Sequence, residues 1–317
     1  MKLDIKDQKI LHTIEFDARM PISKVAKKVR LSKEVTNYRI KKLENNGIIN
    51  SYRTLFNLYN LGKDYYAIFF KIKDYYQKEE EILAELKKIK RRSRIMISEG
   101  RWNLILTLRS TSIQQMIQET TPFLAKYGEI IEEKQISLTK EMYISKCYPI
   151  YPDIEKDAAE ICHIKKDDKE IELGKLDVLI SKKIAANPKY SLKILASEVN
   201  LDVKTIKKYI EKLKTNKLII HYRTYINAEK LGFKRFLVMV SFKTLSKENQ
   251  ELINFLKSSR IVPILYTCFG MTDLIFEIIV SDITDLFNYL KELSMGYSSI
   301  IKETSFLPII KYDRNSN

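Results

Sequence analysis

Apolar residues in the first part of the chain recur at the spacing of α-helices and then change to the alternation of a strand. In order, this pattern predicts helices over 3–14, 22–29 and 33–45 and a short strand over 48–53. Ser32 is placed to cap the third helix, and Gly47 follows it as a stop. Three helices with a tight junction between the last two, followed by a hairpin, are typical of a winged helix-turn-helix domain.

The pattern of the next part of the chain is that of a sheet with two helices. It predicts strands over 65–73, twice around a glycine turn within 94–109, and over 129–138, with helices over 78–92 and 112–128. The order βαββαβ is that of a ferredoxin-like domain. One face of such a sheet packs its two helices, and the other face exposes Phe and Ile to water unless it is covered. We expect a second sheet of the same kind to be that cover.

The whole pattern occurs twice, without gaps, at an offset of 170 residues. The triplet Tyr-Arg-Thr at 52–54 recurs at 222–224, and Gly100 recurs as Gly270. The repeated unit has about 147 residues, far more than a solenoid repeat. The predicted fold class is therefore α+β, with two copies of a winged helix-turn-helix followed by a ferredoxin-like domain. The predicted domains are 1–60 and 171–230 for the winged helices, 61–147 and 231–317 for the ferredoxin-like domains, and 148–170 for a charged connector, partly helical after Pro152.

The formal net charge of +16 is concentrated in the two predicted winged-helix segments. Residues 1–54 carry 13 Lys and Arg against 6 Asp and Glu, and residues 171–224 carry 12 against 5. Each segment therefore has a net charge of +7, which leaves little for the rest of the chain. A surface that is merely solvated would spread its charge, whereas two basic units are the footprint of a polyanion-binding protein. Double-stranded DNA is the partner that this pattern predicts.

The third helix of each copy should present one face to that partner. In the second copy the apolar positions fall at i, i+3, i+4 and i+7 between Ile206 and Leu213, so they face the core. The outward positions are then Val203, Lys204, Lys207, Lys208 and Glu211, and their first-copy equivalents are Lys33, Glu34, Asn37, Tyr38 and Lys41. This mixture suits contacts with base edges and phosphates.

The predicted DNA-binding residues extend from this face to its neighbours. In the first copy they are Lys27, Lys28, Ser32, Lys33, Asn37, Arg39, Lys41, Lys42 and Arg53. In the second copy they are Lys204, Lys207, Lys208, Lys212 and Arg223. The helix-two lysines and the arginines of the expected wings, Arg53 and Arg223, are placed to bind phosphates. Arg39 lies at the edge of the core stripe, where the alternative role is that of a structural salt-bridge former.

The composition offers little for catalysis or metal binding. Three cysteines are too few and too irregularly spaced for a disulfide framework or a zinc site. Of three histidines, His12 is expected on an exposed helix face, His163 in the connector and His221 beside the wing, so none lies in a sheet domain. We expect no catalytic residue, no metal and no cofactor. No apolar run approaches a membrane span and the start lacks a signal peptide, which predicts a cytoplasmic protein without a membrane partner.

Several motifs resemble those of the Lrp/AsnC family of feast/famine regulators. They are "LDIKDQKIL", "ARMPISKVAKKVRLSKEVTNYRIKKLENNGIINSYRT", "NLG", "EGRWNL" and "FGMTDL". The resemblance covers nearly the whole chain, twice, and implies winged helices joined to sheet domains of the RAM type that dimerise. Many members of the family bind an amino acid or another small effector near the glycine loop, and the resemblance implies such a site here. The residues that correspond to that loop are Gly100, Arg101, Trp102, Asn103, Gly270 and Asp273.

The leading hypothesis is a sequence-specific transcription regulator with two non-identical reading heads in one chain. The sheet domains would pair within the chain as a pseudo-dimer, or between chains as a homodimer. One alternative is an enzyme similar to siroheme decarboxylases, which have a related fold. The segment "RWNLILTL" bears some likeness to their strand after the glycine loop. The scarcity of histidine argues against it, so a protein that is not an enzyme is expected. The other alternative is an interaction or metabolite-sensing protein that does not bind DNA.

Overall fold

Helices and strands follow the duplicated order along the chain. The computed structural model describes residues 3–156, 160–167, 171–244 and 246–314. The first copy contains α1 (Ile5–Ile14), α2 (Ile22–Val29), α3 (Lys33–Asn45), β1 (Ile49–Phe56), β2 (Asp64–Ile72), α4 (Glu79–Lys87), β3 (Arg92–Ser98), β4 (Leu104–Ser110), α5 (Ile113–Tyr127) and β5 (Ile131–Ile144). After β6 (Cys162–Lys165), the second contains α6 (Lys175–Ala186), α7 (Leu192–Glu198), α8 (Val203–Thr215), β7 (Ile219–Ile226), β8 (Lys234–Phe242), α9 (Asn249–Ser258), β9 (Ile264–Gly270), β10 (Leu274–Val280), α10 (Ile283–Gly296) and β11 (Ile301–Arg314).

The three helices α1–α3 form the first head, and α6–α8 form the second head. Each head packs its own apolar cluster, centred on Ile10 and Leu43 in the first and on Ile180 and Leu213 in the second. These residues are fully buried, as the helical spacing predicts. Each head is therefore a helix-turn-helix unit with a core of its own.

The strand after each head does not form the predicted hairpin wing. Instead, β1 pairs antiparallel with β7 of the other copy, and we call this two-stranded sheet the linking ribbon. Arg53 lies directly opposite Arg223, which is its own equivalent at the offset of 170. An antiparallel ladder in which equivalent residues face each other has a local two-fold axis between them. The axis of the pseudo-dimer therefore passes between these two arginines.

Each strand of the linking ribbon is held by the head of the other copy. Thr54 Oγ1 on β1 donates to the carbonyl oxygen of Ile184 in the second head at 2.9 Å. Its equivalent, Thr224 Oγ1 on β7, donates to the carbonyl oxygen of Ile14 in the first head at 2.7 Å. The two copies thus exchange strands, which ties both heads to one ribbon.

The two ferredoxin-like sheets join edge to edge. Their strand orders are β5-β2-β4-β3 and β11-β8-β10-β9, and the pairs β3–β11 and β5–β9 connect them. Because β2 also pairs with β5, the ladder closes on itself, and we call this closed sheet the barrel. Closure leaves the eight strands without a free edge among themselves.

Alternation along the barrel strands separates two apolar layers. In the first copy Phe70 and Leu104 face outward onto α4 and α5, where Phe123 completes the layer. The alternate residue Phe69 faces inward and meets Leu237 and other residues of the second copy. The inner face that the sequence left uncovered is therefore buried against the inner face of the other sheet.

The connector is more structured than its charged composition predicts. Its residues 162–165 form β6, which pairs antiparallel with β5 and extends the sheet beyond the barrel. Tyr148 and Tyr151 are fully buried against the first head. The described residues of the connector after Pro152 contain no α-helix, and 157–159 and 168–170 lie outside the described residues. The predicted helix falls partly on those residues and stays a prediction there, while residues 162–165 form a strand instead.

A buried ion pair links the first head to the ribbon. Arg223 Nη2 lies 3.5 Å from Glu15 Oε1, and both side chains are almost completely buried. Glu15 also accepts hydrogen bonds from the Tyr151 hydroxyl at 2.8 Å and the Cys147 backbone N–H at 2.9 Å. Burial raises the pKa of the Glu15 carboxyl, and the guanidinium acts against that shift. The network joins α1, the connector and β7.

Replacement of Arg223 should strongly destabilise the protein. Arg223→Met leaves the Glu15 carboxylate buried without its cation, which we expect to cost about 3 kcal/mol in the free energy of unfolding. Arg53→Met, at the equivalent position of the ribbon, should cost less than about 1 kcal/mol because that side chain is partly exposed. Denaturant titration measures both. Combining Glu15→Gln with Arg223→Met should recover part of the loss, and an undiminished loss would contradict this account.

Lys217 should be a site of backbone strain. It has φ +53°, in the left-handed region, at the position where the first copy has Gly47 with φ +64°. Lys217→Gly should therefore increase the free energy of unfolding by about 0.5 to 1 kcal/mol. The same change inside a helix, Lys208→Gly, should lower it by about 1 kcal/mol. Thermal or denaturant unfolding of the two variants gives the comparison, and equal signs would refute the strain.

Candidate nucleic-acid interface

The helix α3 presents a mixed polar and apolar surface to solvent. Its N-terminus is capped by Ser32, whose Oγ accepts from the Val35 N–H at 3.1 Å. Ile40 and Leu43 are buried in the head, while Tyr38 on the opposite face is 67% exposed. This helix is the second of the helix-turn-helix pair, the one that enters the major groove in such domains.

The equivalent helix α8 has a more cationic surface. Asp202 caps it, with its carboxylate accepting from the Thr205 N–H at 2.8 Å. Ile206, Ile210 and Leu213 are buried, which leaves the lysine-rich face in solvent. The exposed residues of that face are Val203, Lys204, Lys207, Lys208 and Glu211, the set that helical spacing predicts.

Most of the predicted DNA-binding residues lie on the outer surfaces of the heads. The exposed ones are Lys27, Lys28, Ser32, Lys33, Lys41, Lys42, Lys204, Lys207, Lys208 and Lys212, and Asn37 is partly exposed. Among the described residues, the three lysines Lys204, Lys207 and Lys208 form no ion pair within 4 Å. Lys212 does form one, with Asp177 at 2.7 Å. The free ammonium groups can therefore approach a polyanion without losing a carboxylate partner.

Arg39 holds the first head together. Its Nη1 lies 2.7 Å from carboxylate oxygens of both Asp4, which caps α1, and Asp7, in the first turn of α1. In the second head the residue at this position is Tyr209, and Lys212 takes over the carboxylate of Asp177, the equivalent of Asp7. Arg39 therefore occupies the structural role that was the alternative to DNA contact.

The two ribbon arginines are not on a wing. Arg223 is buried, with its guanidinium on Glu15 and over the rings of Phe16 and Tyr225. Arg53 is partly buried and lies over Tyr225. The prediction that they lie on wings is wrong, because the strands that carry them pair with each other between the heads and the barrel. Burial keeps Arg223 away from phosphates, while phosphate binding by the partly exposed Arg53 stays a prediction.

The heads also touch one another across the ribbon. Lys189 of the second head lies 3.3 Å from the Glu44 carboxylate of the first, and 4.1 Å from the centre of the Tyr52 ring. Arg19 Nη1 donates to the carbonyl oxygen of Pro188 at 2.6 Å. These contacts restrict how far one head can move relative to the other.

The predicted effector residues have structural partners in both copies. Trp102 is buried inside the barrel, and Arg101 lies over its ring and pairs with Glu133. The Asn103 side chain exchanges two hydrogen bonds with the backbone of Ile72. In the second copy Asp273 accepts from the Phe242 N–H at 2.7 Å, which is the equivalent contact.

The glycines of the two loops serve close packing and backbone shape. Gly100 and Gly270 have φ values of +112° and +118°, which side chains rarely adopt. A Cβ at Gly270 would lie 2.5 Å from the carbonyl oxygen of Ile136 on β5. The loops are therefore elements of the barrel, whatever else they bind.

One exposed side chain, Tyr38, was predicted to face outward but was not among the residues selected for DNA binding. Tyr38 stands on the outer face of α3, at the position that Lys208 occupies in the second head. The repeat offset of 170 could have identified Tyr38, because it aligns this tyrosine with Lys208, which was predicted to bind DNA. Its ring can stack or pack on DNA, where the lysine provides only charge.

Comparison with known proteins identifies relatives of a single copy. A family model described as winged helix-turn-helix DNA-binding matches residues 3–50. The proline dehydrogenase transcriptional activator of Rhizobium radiobacter is 31% identical over 138 residues, which are 43% of this chain and 81% of that protein. The regulatory protein AsnC of Haemophilus influenzae is 28% identical over 156 residues, 48% of this chain and 97% of that protein. The matches to these two proteins have about the length of one repeat.

A solved structure matches both copies together. The crystal structure of the siroheme decarboxylase NirDL covers 97% of this chain and 91% of its own, with a TM-score of 0.62 and 14% identity. At this identity the likeness concerns the fold alone. The prediction that the chain is not an enzyme is contradicted by this match, because the full-length architecture is one that an enzyme uses.

The histidine argument behind that prediction was also incorrect in one respect. His163 lies on β6, so it belongs to the sheet rather than to a linker, and its ring stacks on Tyr143. His221 is on the ribbon and stacks on Phe16.

None of the helices in the described ranges combines the length and the apolar character of a membrane span.

The order of domains and the relatives lead to the same family. Each copy has a helix-turn-helix head followed by a ferredoxin-like sheet domain, and the exposed recognition faces carry the lysines. The bacterial activator is matched at 31% identity over most of its length. The chain belongs to the Lrp/AsnC family of DNA-binding transcription regulators, in a tandem form with both copies in one polypeptide.

Proposed function

We propose that this protein regulates transcription by reading one DNA site with the two unlike heads of a single chain. The observation that carries the proposal is the ladder in which Arg53 faces Arg223, since it relates the heads by a local two-fold axis. Paired heads of this kind bind half-sites separated by whole helical turns of DNA, about 10 bp or a multiple. Exchange of ribbon strands between the copies supports the same arrangement, because it fixes both heads to one support.

The two heads read DNA differently in this proposal. The first head offers Asn37 and Tyr38 on its recognition helix, and asparagine can bond two atoms of adenine. The second offers Lys204, Lys207 and Lys208 at comparable positions, which suit guanine or phosphates. The operator would then be asymmetric, with the more sequence-specific half-site under the first head.

A small effector at the sheet domains belongs to the proposal as well. Asp273, beside the second glycine loop, lines a cavity of about 570 Å³ together with Lys140, Lys247 and Thr267. Glu141 lines it as well, so two carboxylates and two ammonium groups could receive the two charges of an amino acid. Selection of genomic fragments by the purified protein, with and without amino acids, tests the site, its spacing and this dependence together.

Lysine replacements should change DNA affinity through the salt slope. Lys41→Ala and Lys208→Ala should each weaken binding to all sequences and reduce the slope of log K against log salt by about 0.9. Fluorescence anisotropy with a labelled duplex at several salt concentrations measures the slope. Lys88→Ala, on the outside of the barrel, is the control and should leave the slope unchanged. A slope unaffected by both head variants would refute the proposed interface.

One chain should be enough to occupy both half-sites. Light scattering after size exclusion should give about 37.4 kDa for the free protein, since β1–β7, β3–β11 and β5–β9 pair within the chain. A duplex with one selected site should add its own mass to that of a single chain. A complex that always contains two chains per site would contradict the proposal.

A further inference from the structure

One surface of the second sheet domain is covered by the stretch of chain that follows β5, residues 145–156, which we call the covering segment. Its Ser145 backbone N–H donates to the carbonyl oxygen of Pro263 at 2.8 Å. The Arg260 guanidinium, between α9 and β9, donates to the carbonyl oxygen of Ile154 at 2.6 Å. The covered surface is therefore centred on the turn between α9 and β9.

The covering segment lies between that turn and the first head. The Cys147 backbone N–H donates to the Glu15 carboxylate at 2.9 Å, and the Tyr151 hydroxyl donates to the same carboxylate at 2.8 Å. The Tyr151 ring also meets His12 of α1, with 5.3 Å between the ring centres. One peptide segment thus fills the space between a head and a sheet domain, with a buried aromatic ring as its anchor.

The same surface occurs in the first copy, at the turn between α4 and β3. In the second copy the Ile279 N–H donates to the carbonyl oxygen of Ile261 at 2.9 Å, and in the first copy the equivalent bond joins Arg109 to Arg91 at 3.0 Å. The backbones of the two turns therefore match at the offset of 170. Because the two heads are also held alike on the ribbon, the space between head and sheet domain recurs in the first copy.

This surface is more exposed in the first copy than in the second. Val262 is buried beneath the covering segment, whereas its equivalent Arg92 is half-buried. Ile261 is half-buried, whereas its equivalent Arg91 is exposed. The surface that the covering segment occupies in one copy is thus accessible in the other, and we call it the open groove.

The open groove leads to an empty space of the size of an aromatic ring. Pro263 and Glu15, which the covering segment contacts in the second copy, correspond to Ser93 and Ala185. These two residues border a cavity of about 220 Å³. An engineered cavity of about 150 Å³ in another protein holds benzene. An aromatic side chain can therefore enter here as Tyr151 does in the second copy.

Lysine and arginine surround the open groove. The residues of its walls are Lys63, Lys90, Arg91, Arg92 and Lys182. The same positions of the second copy hold Phe233, Arg260, Ile261, Val262 and His12. Cationic side chains therefore replace the apolar surface on which the covering segment packs, while a cationic donor is kept at the position of Arg260.

Three of these cations have no carboxylate partner among the described residues. They are Lys90 and Lys182, which are exposed, and Lys63, which is half-buried. Burial lowers the pKa of the Lys63 ammonium, and the guanidinium groups of Arg109 and Arg91 lower it further. An ammonium held in such a position is stabilised when a carboxylate comes into contact with it.

We propose that the open groove binds an acidic peptide segment of a partner protein. An aromatic side chain of that peptide enters the cavity beside Ala185, and its carboxylates lie on Lys63, Lys90 and Lys182. The covering segment supports this choice of partner, because it is a peptide that fills the equivalent space. A DNA duplex is less suited, since a space filled by one peptide segment is too narrow for a double helix. Binding of this peptide does not depend on the proposed DNA-binding function.

Fluorescence anisotropy with the full-length protein and a labelled peptide, without DNA, tests the groove. The probe has the sequence of the covering segment with Lys146→Glu, Cys147→Ser and Lys156→Glu, which keeps both tyrosines and adds carboxylates. In the control peptide every carboxylate is replaced by its amide. We expect the acidic peptide to bind at physiological salt and the amide peptide to bind at least tenfold more weakly. Absence of binding by the acidic peptide, or equal binding of both, would overturn the proposal.

Variants and a competitor locate the bound peptide and identify its class. Combining Lys63→Met with Lys90→Met should weaken binding at least tenfold. Lys134→Met, at an exposed lysine of β5, is the matched control and should bind as the wild type does. Circular dichroism confirms folding of each variant. A single-stranded oligothymidylate of the same length as the peptide should not displace it. Unchanged affinity of the folded double variant would place the peptide elsewhere, and displacement at equal concentration would make the groove a nucleic-acid site; either result contradicts the assignment.

Discussion

The antiparallel pairing of β1 with β7 is the contact on which the rest of the molecule depends. Two strands alone are marginally stable in water, so this ribbon persists because each strand also docks on a head of the other copy. The same two-fold relation brings β3 to β11 and β5 to β9, which closes the barrel. Ribbon, heads and barrel are therefore consequences of one symmetric association made within a single chain.

Local elements were predictable from the sequence, and pairings over long distances were not. Helical spacing gave the three helices of each head, and strand alternation gave the ferredoxin-like order, because these signals lie within a few turns or residues. The prediction of a hairpin wing was wrong because the sequence of a strand such as β1 does not show which strand it pairs with. Here the partner strand, β7, is 170 residues away. The strand β6 was not predicted because it has only four residues in a polar connector. Its alternation, with Cys162 and Ile164 buried, is too short to be recognised as a strand pattern.

Charge along the chain overestimates the charge that faces DNA. Of the basic residues in the head segments, Lys204, Lys207 and Lys208 of α8 point to solvent. In contrast, Arg39 and Arg223 turn to carboxylates inside the protein. The planar, weakly hydrated guanidinium is suited to buried carboxylates, whereas the ammonium of lysine is strongly hydrated. The choice between lysine and arginine therefore indicates whether a side chain points to solvent or into the protein, which the net charge of +7 does not. The recognition faces were correctly located by helical spacing, and the arginines required the structure.

Duplication within one chain permits an asymmetry that a homodimer cannot have. In a symmetric dimer, a substitution that places a carboxylate beside one ribbon arginine places it beside both. Here Glu15 pairs with Arg223, while the residue equivalent to Glu15 in the second copy is Ala185, which has no carboxylate to offer Arg53. The heads have diverged in the same way, with Asn37 and Tyr38 opposed by lysines. Because both copies lie in one chain and share one ribbon, a change on one side of the axis need not be matched on the other, which allows each head to acquire its own contacts.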